Sequence, residues 1–255
     1  MWSSEFLGLL QSTCGLDYET IDLDGPAADG LTIEDPTSGR ISGRDAVRAY
    51  VAAEELRASA ERRRWRGAAV TGGTRRSAGE FVCELWNAGA RVELPVAVVR
   101  ETTPDGVALR IYHSTYPLTG THRVRPPMLP LDPALHASDI VGEYFAALAA
   151  GDAGRIVATF APDGYFREPS GAHYTYRGHT ALSALYRRFF AAGGGIALEH
   201  CTLIEDGIRS ALEFNCVGWG RHALPPQAGI AIYARDGRGK IASAHVYDDL
   251  MPPLG

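Results

Sequence analysis

Two carboxyls and a phenol in the second half of the chain have the types and spacing to do chemistry together: Tyr144, Glu168 and Asp248. Tyr144 falls on the apolar side of a helical pattern, with Ile140, Val141, Phe145, Leu148 and Ala149 at helical spacing. Glu168 closes a short extended run, Tyr165-Phe166-Arg167-Glu168, that Pro169 ends. Asp248 lies in Ser243-Ala244-His245-Val246-Tyr247-Asp248-Asp249, where strand alternation puts Ala244, Val246 and Asp248 on one face and His245, Tyr247 and Asp249 on the other. Small Ala244 and Val246 suit a cavity wall; bulkier His245 and Tyr247 suit a packed interface. Two carboxyls in one apolar cavity do not both ionise cheaply, so one becomes a base and the other holds a proton. A base beside a neutral donor suits proton abstraction α to a carbonyl, with a tyrosine hydroxyl bonding the oxyanion. Such positioned groups contribute about 10²–10⁴-fold each.

The elements that must position these residues begin with a helix over about 140–150, capped by Ser138 or Asp139 and ended by Gly151. A short second helix follows with Ile156, Val157 and Phe160, stopped by Ala161-Pro162-Asp163-Gly164. Gly178–Phe190 is a third, with Leu182, Leu185, Tyr186 and Phe189 inward. Strands are expected at about 196–205, 208–219, 228–235 and 240–249, with Asp206-Gly207 and Asp236-Gly237 as hairpin turns.

The first half runs in the same order. A short helix over 3–12 (Phe6, Leu7, Leu10) precedes an irregular stretch, a strand Leu31–Asp35, a helix Gly43–Leu56 and strand-like runs at about 67–86, 90–101 and 107–117. Residues align between the halves at a nearly constant offset. Asp35-Pro36 matches Glu168-Pro169 at 133, Gly43 matches Gly178 at 135, Glu80-Phe81-x-Cys83-x-x-Trp86 matches Glu213-Phe214-x-Cys216-x-x-Trp219 at 133, and His113 matches His245 at 132. This is two copies of one ~120-residue unit. The expected domains are 1–122, a proline-rich extended linker at 123–137 (Pro126, Pro127, Pro130, Pro133), and 138–255.

The order Tyr144-Phe145-Ala146-Ala147-Leu148-x-Ala150-Gly151-Asp152, then Phe160-Ala161-x-Asp163-Gly164, then Glu168-Pro169, resembles the opening of the nuclear transport factor 2-like superfamily, within it ketosteroid isomerases and SnoaL-like polyketide cyclases. The resemblance implies an α+β fold: two tandem cones, each of helices closed by a curved antiparallel sheet around a pocket, packed as an intrachain pseudo-dimer. Apolar residues of both parities in Val92–Val99 and Gly229–Tyr233 fit sheets covered on both faces. It implies Tyr144 as oxyanion donor, Glu168 as base and Asp248 as the second carboxyl, with Phe160, Tyr176, Tyr186, Asn215, Val246 and Trp219 as substrate-binding candidates. His173, Tyr174, Tyr176 and His179 crowd the loop after Glu168, where a lid is one reading. The isomerases' second acidic donor has no counterpart, because Ala231 stands there; steroid isomerisation as such, and epoxide opening by an Arg-x-Asp site, do not follow. The first half keeps Asp35 but has Phe6, Ala97 and Tyr116 at the other site positions, so it reads as a structural copy unless Asp35, Ser114 and Tyr116 form a site of their own.

The expected activity is that of a small-molecule isomerase, cyclase or lyase acting on a hydrophobic, polyketide-like carbonyl compound without cofactor or metal. Its alternatives are a hydrolase or dehydratase using an activated water in the same pocket, or a non-catalytic binding or assembly module. A net charge of −5 gives no reason to expect a nucleic-acid partner, and the run Arg62–Arg66 reads as a solvated helix end. Cys14, Cys83, Cys201 and Cys216 lack metal-ligand spacing. With no signal-peptide pattern and no apolar run approaching ~18 residues, the expectation is a cytoplasmic protein without a membrane span, a pseudo-dimer open to further homodimerisation.

Overall fold

The computed structural model describes residues 29–250, and these divide into two compact units, unit 1 up to His113 and unit 2 from Ser114. The expected first helix over 3–12, with Phe6, lies outside the described residues, as does Cys14. No helix among those described is long and apolar enough to cross a membrane.

Unit 1 holds β1 (Leu31–Asp35), β2 (Gly39–Ser42), α1 (Arg44–Ala60), β3 (Arg64–Thr71), β4 (Arg76–Asn87), β5 (Ala90–Thr103) and β6 (Gly106–Tyr112). Its sheet has the order β2-β1-β6-β5-β4-β3, antiparallel except where β1 runs parallel to β6. The single run expected at 67–86 is a hairpin, β3 and β4. Only the start of the stretch Arg62–Arg66 is a helix end, the Arg62 and Arg63 amides donating to the Ser59 (3.2 Å) and Ala58 (2.9 Å) carbonyls; Arg64, Trp65 and Arg66 open β3, Trp65 is buried, and Arg66 pairs with Glu84 at 2.9 Å. Charged outward residues of this kind suit an edge strand. Asp35 is buried and accepts bonds from the Thr37 and Ser38 amides (2.8 and 2.7 Å) and from the Tyr50 hydroxyl (2.8 Å). It serves the β1–β2 turn and α1.

Unit 2 begins at Ser114 and a helical turn α2 (Tyr116–Thr119), followed by α3 (Ile140–Ala150), α4 (Ala153–Thr159), β7 (Phe160–Arg167), β8 (Thr175–Arg177), α5 (Gly178–Phe189), β9 (Ile196–Glu205), β10 (Arg209–Trp219), β11 (His222–Arg235) and β12 (Ile241–Tyr247). Its strand order, β8-β7-β12-β11-β10-β9, repeats that of unit 1 strand for strand, including the parallel pair β7–β12. Both units are therefore α+β with six-stranded sheets of one topology.

Sequence explains the local choices in unit 2. Asp139 is the N-cap of α3, its Oδ1 accepting from the Val141 amide at 3.0 Å, and Gly151 ends the helix at φ 70°, where a side chain would be strained. Asp152 caps α4 in the same way. The buried faces are Val141, Tyr144, Phe145, Ala147 and Leu148 on α3 and Leu182, Leu185, Tyr186 and Phe189 on α5. They form one core with Phe166, Leu212, Phe214, Ala231 and Tyr233 of the sheet. A register shift between Cys216 and Gly218 interrupts the β10–β11 ladder, the kind of irregularity that bends a strand.

The proline-rich stretch is bonded to the second sheet. The Ala228 amide donates to the Arg125 carbonyl (2.9 Å), the Asp132 amide to the His200 carbonyl (2.9 Å), and Asn215 Nδ2 to the Leu129 carbonyl (3.2 Å).

Candidate active site

A cavity of about 650 Å³, counted with its open mouth, lies within unit 2. Its wall is apolar and aromatic, with Leu148, Phe166, Phe189, Ile196, Phe214 and Trp219 prominent. The polar exceptions are few: Tyr144, Tyr186, Tyr233, Glu168, Asp248 and Cys216. Its size and make-up are those of a small-molecule pocket.

Each polar group arrives by a simple rule. Tyr144 sits mid-face on α3, between Val141 and Leu148. Phe166 and Glu168 share parity on β7 and just beyond, so both face inward. Val246 and Asp248 face inward at the end of β12 by the same alternation. The three residues singled out for chemistry thus open onto one cavity.

The phenols form a network. Tyr144 Oη lies 2.9 Å from Tyr186 Oη and also bonds Tyr233, whose ring centroid is 5.2 Å from its own. Burial pushes Tyr144 up to about 12, against the pull of those two bonds. Burial also raises Tyr186 and Tyr233, as do their bonds to Tyr144. All three are protonated at neutral pH. With Tyr186 and Tyr233 donating to Tyr144 Oη, the Tyr144 proton is left for a further acceptor, and the chain of bonds strengthens that donation.

The carboxyls differ. Burial pushes Asp248 up to about 7; the like charge of Asp249 adds to this, and the Leu250 amide works against it. Its surface is only partly buried, because it fronts the cavity, yet the atoms packed around the carboxyl make desolvation dominant. Burial also raises Glu168, while the Tyr176 hydroxyl, Arg188 and His122 pull it back. Arg188 Nη2 stands 3.5 Å from Glu168 Oε1, half-exposed, and that oxygen is buried without a hydrogen-bond partner. A buried acceptor left short of a donor is costly, and it calls for a functional reason.

Of the substrate-binding candidates, Tyr186, Trp219 and Val246 line the cavity. Trp219 is held by its indole nitrogen donating to the Phe189 carbonyl at 2.9 Å. Three do not line it. Phe160 packs edge-on to Tyr144, with ring centroids 6.0 Å apart, in the core behind the wall. Tyr176 stands behind Glu168 as its hydrogen-bond partner. Asn215 has the opposite parity to Phe214 and Cys216 on β10, and it points to Leu129 on the other face of the sheet. Ala231 lines the cavity, and so does Tyr233, two residues on along the same face of β11, whose hydroxyl is bonded to Tyr144. Alternation from Ala231 was the signal for Tyr233; nothing in the sequence pointed to Arg188. Ser114 is taken up by Asp249 (2.5 Å) and Tyr116 stacks on His122, while Asp35 is bound to Tyr50.

The SnoaL-like domain family matches residues 141–244, which hold most of the cavity's lining residues but not Val246, Asp248 and Leu250. Solved structures similar to part of the chain include a candidate polyketide cyclase from Sinorhizobium meliloti (22% identity over 43% of this chain and 94% of that one, TM-score 0.36). A second is a protein with a ketosteroid isomerase-like fold from Catenulispora acidiphila, in complex with trimethylamine (22% identity over 46% of this chain and 89% of that one, TM-score 0.38). A third is SalBIII, an epoxide hydrolase/cyclase-like enzyme of pyran-ring formation in the polyether salinomycin (20% identity over 44% of this chain and 90% of that one, TM-score 0.37). No curated protein matches the chain.

Proposed function

We propose that the SnoaL-like domain of unit 2 is a small-molecule isomerase, cyclase or lyase that acts on a hydrophobic carbonyl compound by acid–base chemistry, without metal or organic cofactor. The observation that carries this reading is the convergence of Glu168, Asp248 and the hydrogen-bonded Tyr144 on one apolar cavity. In this reading the substrate's carbonyl oxygen accepts the Tyr144 hydroxyl. Glu168, whose Oε1 lacks a donor, removes the α-proton. The electron pair moves onto the carbonyl oxygen and gives an enolate, which the tyrosine network stabilises. Asp248, protonated up to about pH 7, then delivers a proton to the far end of the enolate system or to a leaving oxygen. The substrate is expected to be hydrophobic and polyketide-like, because aliphatic and aromatic side chains make up most of the wall.

The test is a crystal structure with 2-naphthol, a phenol that mimics an enolate. The oxygen is expected within hydrogen-bond distance of Tyr144 Oη, with a ring carbon against Glu168. Naphthol bound with its oxygen away from Tyr144, or excluded from the cavity, counts against the reading.

A further inference from the structure

One buried carboxyl near the cavity gathers several hydrogen bonds, and the chemistry above does not use it. Asp249 is buried on the far face of β12 from Asp248. It accepts from Ser114 Oγ (2.5 Å), the Thr115 amide (2.8 Å), Thr115 Oγ1 (2.5 Å) and the Arg123 amide (2.9 Å), and it faces His122 Nδ1 at 3.0 Å. These donors come from one ten-residue stretch about 130 residues away in sequence.

The stretch so gathered lies near the lining residue Glu168, whose amide donates to the carbonyl of Tyr174 at 3.0 Å. His122 stacks on Tyr116, with ring centroids 4.6 Å apart and planes at 15°. Tyr116 bonds the Tyr174 hydroxyl, and Tyr174 and His122 both feel the charge of Glu168. Thr115 Oγ1 and Thr119 Oγ1 both bond the Thr121 carbonyl and close the stretch on itself.

We propose that Asp249 is a positioning residue that pins Ser114–Arg123 as a wall beside Glu168, so that the Tyr116–His122 stack governs which molecules reach the cavity. A carboxylate suits this task, since charge-assisted bonds are about twice as strong as neutral ones, and five contacts on one group leave the stretch a single arrangement. The same placement puts a fixed negative charge next to Asp248, so wall and reactive carboxyl share one anchor. The proposal rests on the cavity being a ligand site, and its test separates the two claims.

The full chain is compared as wild type, Asp249→Asn, and Ser114→Ala with Thr115→Val. Three readouts are taken: amide hydrogen exchange at Thr115 and Arg123, the association rate of 2-naphthol by stopped-flow fluorescence, and the titration of Asp248 by carboxyl-labelled NMR. The charged or titratable groups facing Asp248 are Asp249, Glu168 and Cys216. The double variant should exchange about tenfold faster at both amides and admit naphthol faster, with the Asp248 titration unchanged. Asp249→Asn should show the same exchange and entry changes and also move the Asp248 titration toward the ordinary carboxylate range. A loss of packing alone would not move that titration in one variant only. Unchanged exchange and entry in the double variant, folded by circular dichroism, overturns the proposal even if Asp249→Asn fails to fold. If wild type binds no naphthol, the ligand-site reading falls, and exchange with the Asp248 titration decides the role of Asp249.

Discussion

Replacing Asp248 by Asn should stabilise unit 2, and by an amount that grows with pH. The folded carboxyl titrates at about 7, against an ordinary value of 3.8. Between those two values the folded state holds a proton that the unfolded state releases. Stability therefore falls as pH rises through that window, by at most about 1.4 kcal/mol per unit, and levels off above pH 7. The cost of ionising Asp248 in the folded state comes to about 2 kcal/mol at pH 5 and about 4 kcal/mol at pH 8. Asparagine keeps the shape and an oxygen for the Leu250 amide but never ionises. The variant should match wild type near pH 4 and exceed it by those amounts at pH 5 and 8. Native-state exchange of the Ile232 and Tyr233 amides in β11, measured for both proteins at each pH, isolates unit 2 from unit 1. A difference that stays flat between pH 5 and 8 would refute the reasoning, because it would mean that the carboxyl is solvated as an ordinary aspartate is.

Other predictions address neighbouring parts of the site. Glu168→Gln should lower turnover of any substrate by about 10²–10⁴-fold and leave the thermal midpoint within a degree or two, since it removes a rim carboxylate rather than core packing. Tyr144→Phe should cost about 1 kcal/mol of stability in denaturant titrations, because Tyr186 and Tyr233 lose a buried partner. Gly229→Ala should destabilise by about 1–3 kcal/mol and reduce naphthol binding: its Cβ would lie 2.7 Å from the Phe214 ring and 2.9 Å from Asp248 Cβ, at the cavity wall. Arg188→Ala should raise the Glu168 titration midpoint in NMR, since it removes a cation that favours the charged form.

Periodicity and the constant offset between halves were enough to read most elements of both units, though not the short strands β2 and β8, while the grouping of Tyr144, Glu168 and Asp248 drew on the family resemblance as well. Helical spacing aimed Tyr144 inward, and strand alternation sorted Asp248 from Asp249. What could not be read depends on contacts distant in sequence. Asp249 was assigned to a packed face correctly, but its partners Ser114, Thr115 and His122 come from beyond the end of β6, and no local pattern links them. The prolines of 123–137 announced an extended chain, yet extension says nothing of the sheet amides and carbonyls it meets. Arg188 in the last turn of α5 looks like any solvated helix-end arginine until the fold brings Glu168 beside it. Asn215 is a different case: the parity of Phe214 and Cys216 on the same strand already excluded it from the wall. The turn between β3 and β4 was missed because Gly72-Gly73 sits inside a run with strand character on both sides.

The most direct measurement is deuterium incorporation from heavy water into the α-position of a panel of hydrophobic ketones, followed by proton NMR, with wild type and Glu168→Gln side by side. Proton abstraction in the cavity exchanges that hydrogen even where no net product forms, so the assay does not depend on knowing the natural substrate. The account predicts that wild type labels at least one ketone small enough for the cavity and that Glu168→Gln slows this by about 10²-fold or more. Labelling that persists at the wild-type rate in Glu168→Gln, or no labelling of ketones shown to bind the cavity, would contradict it.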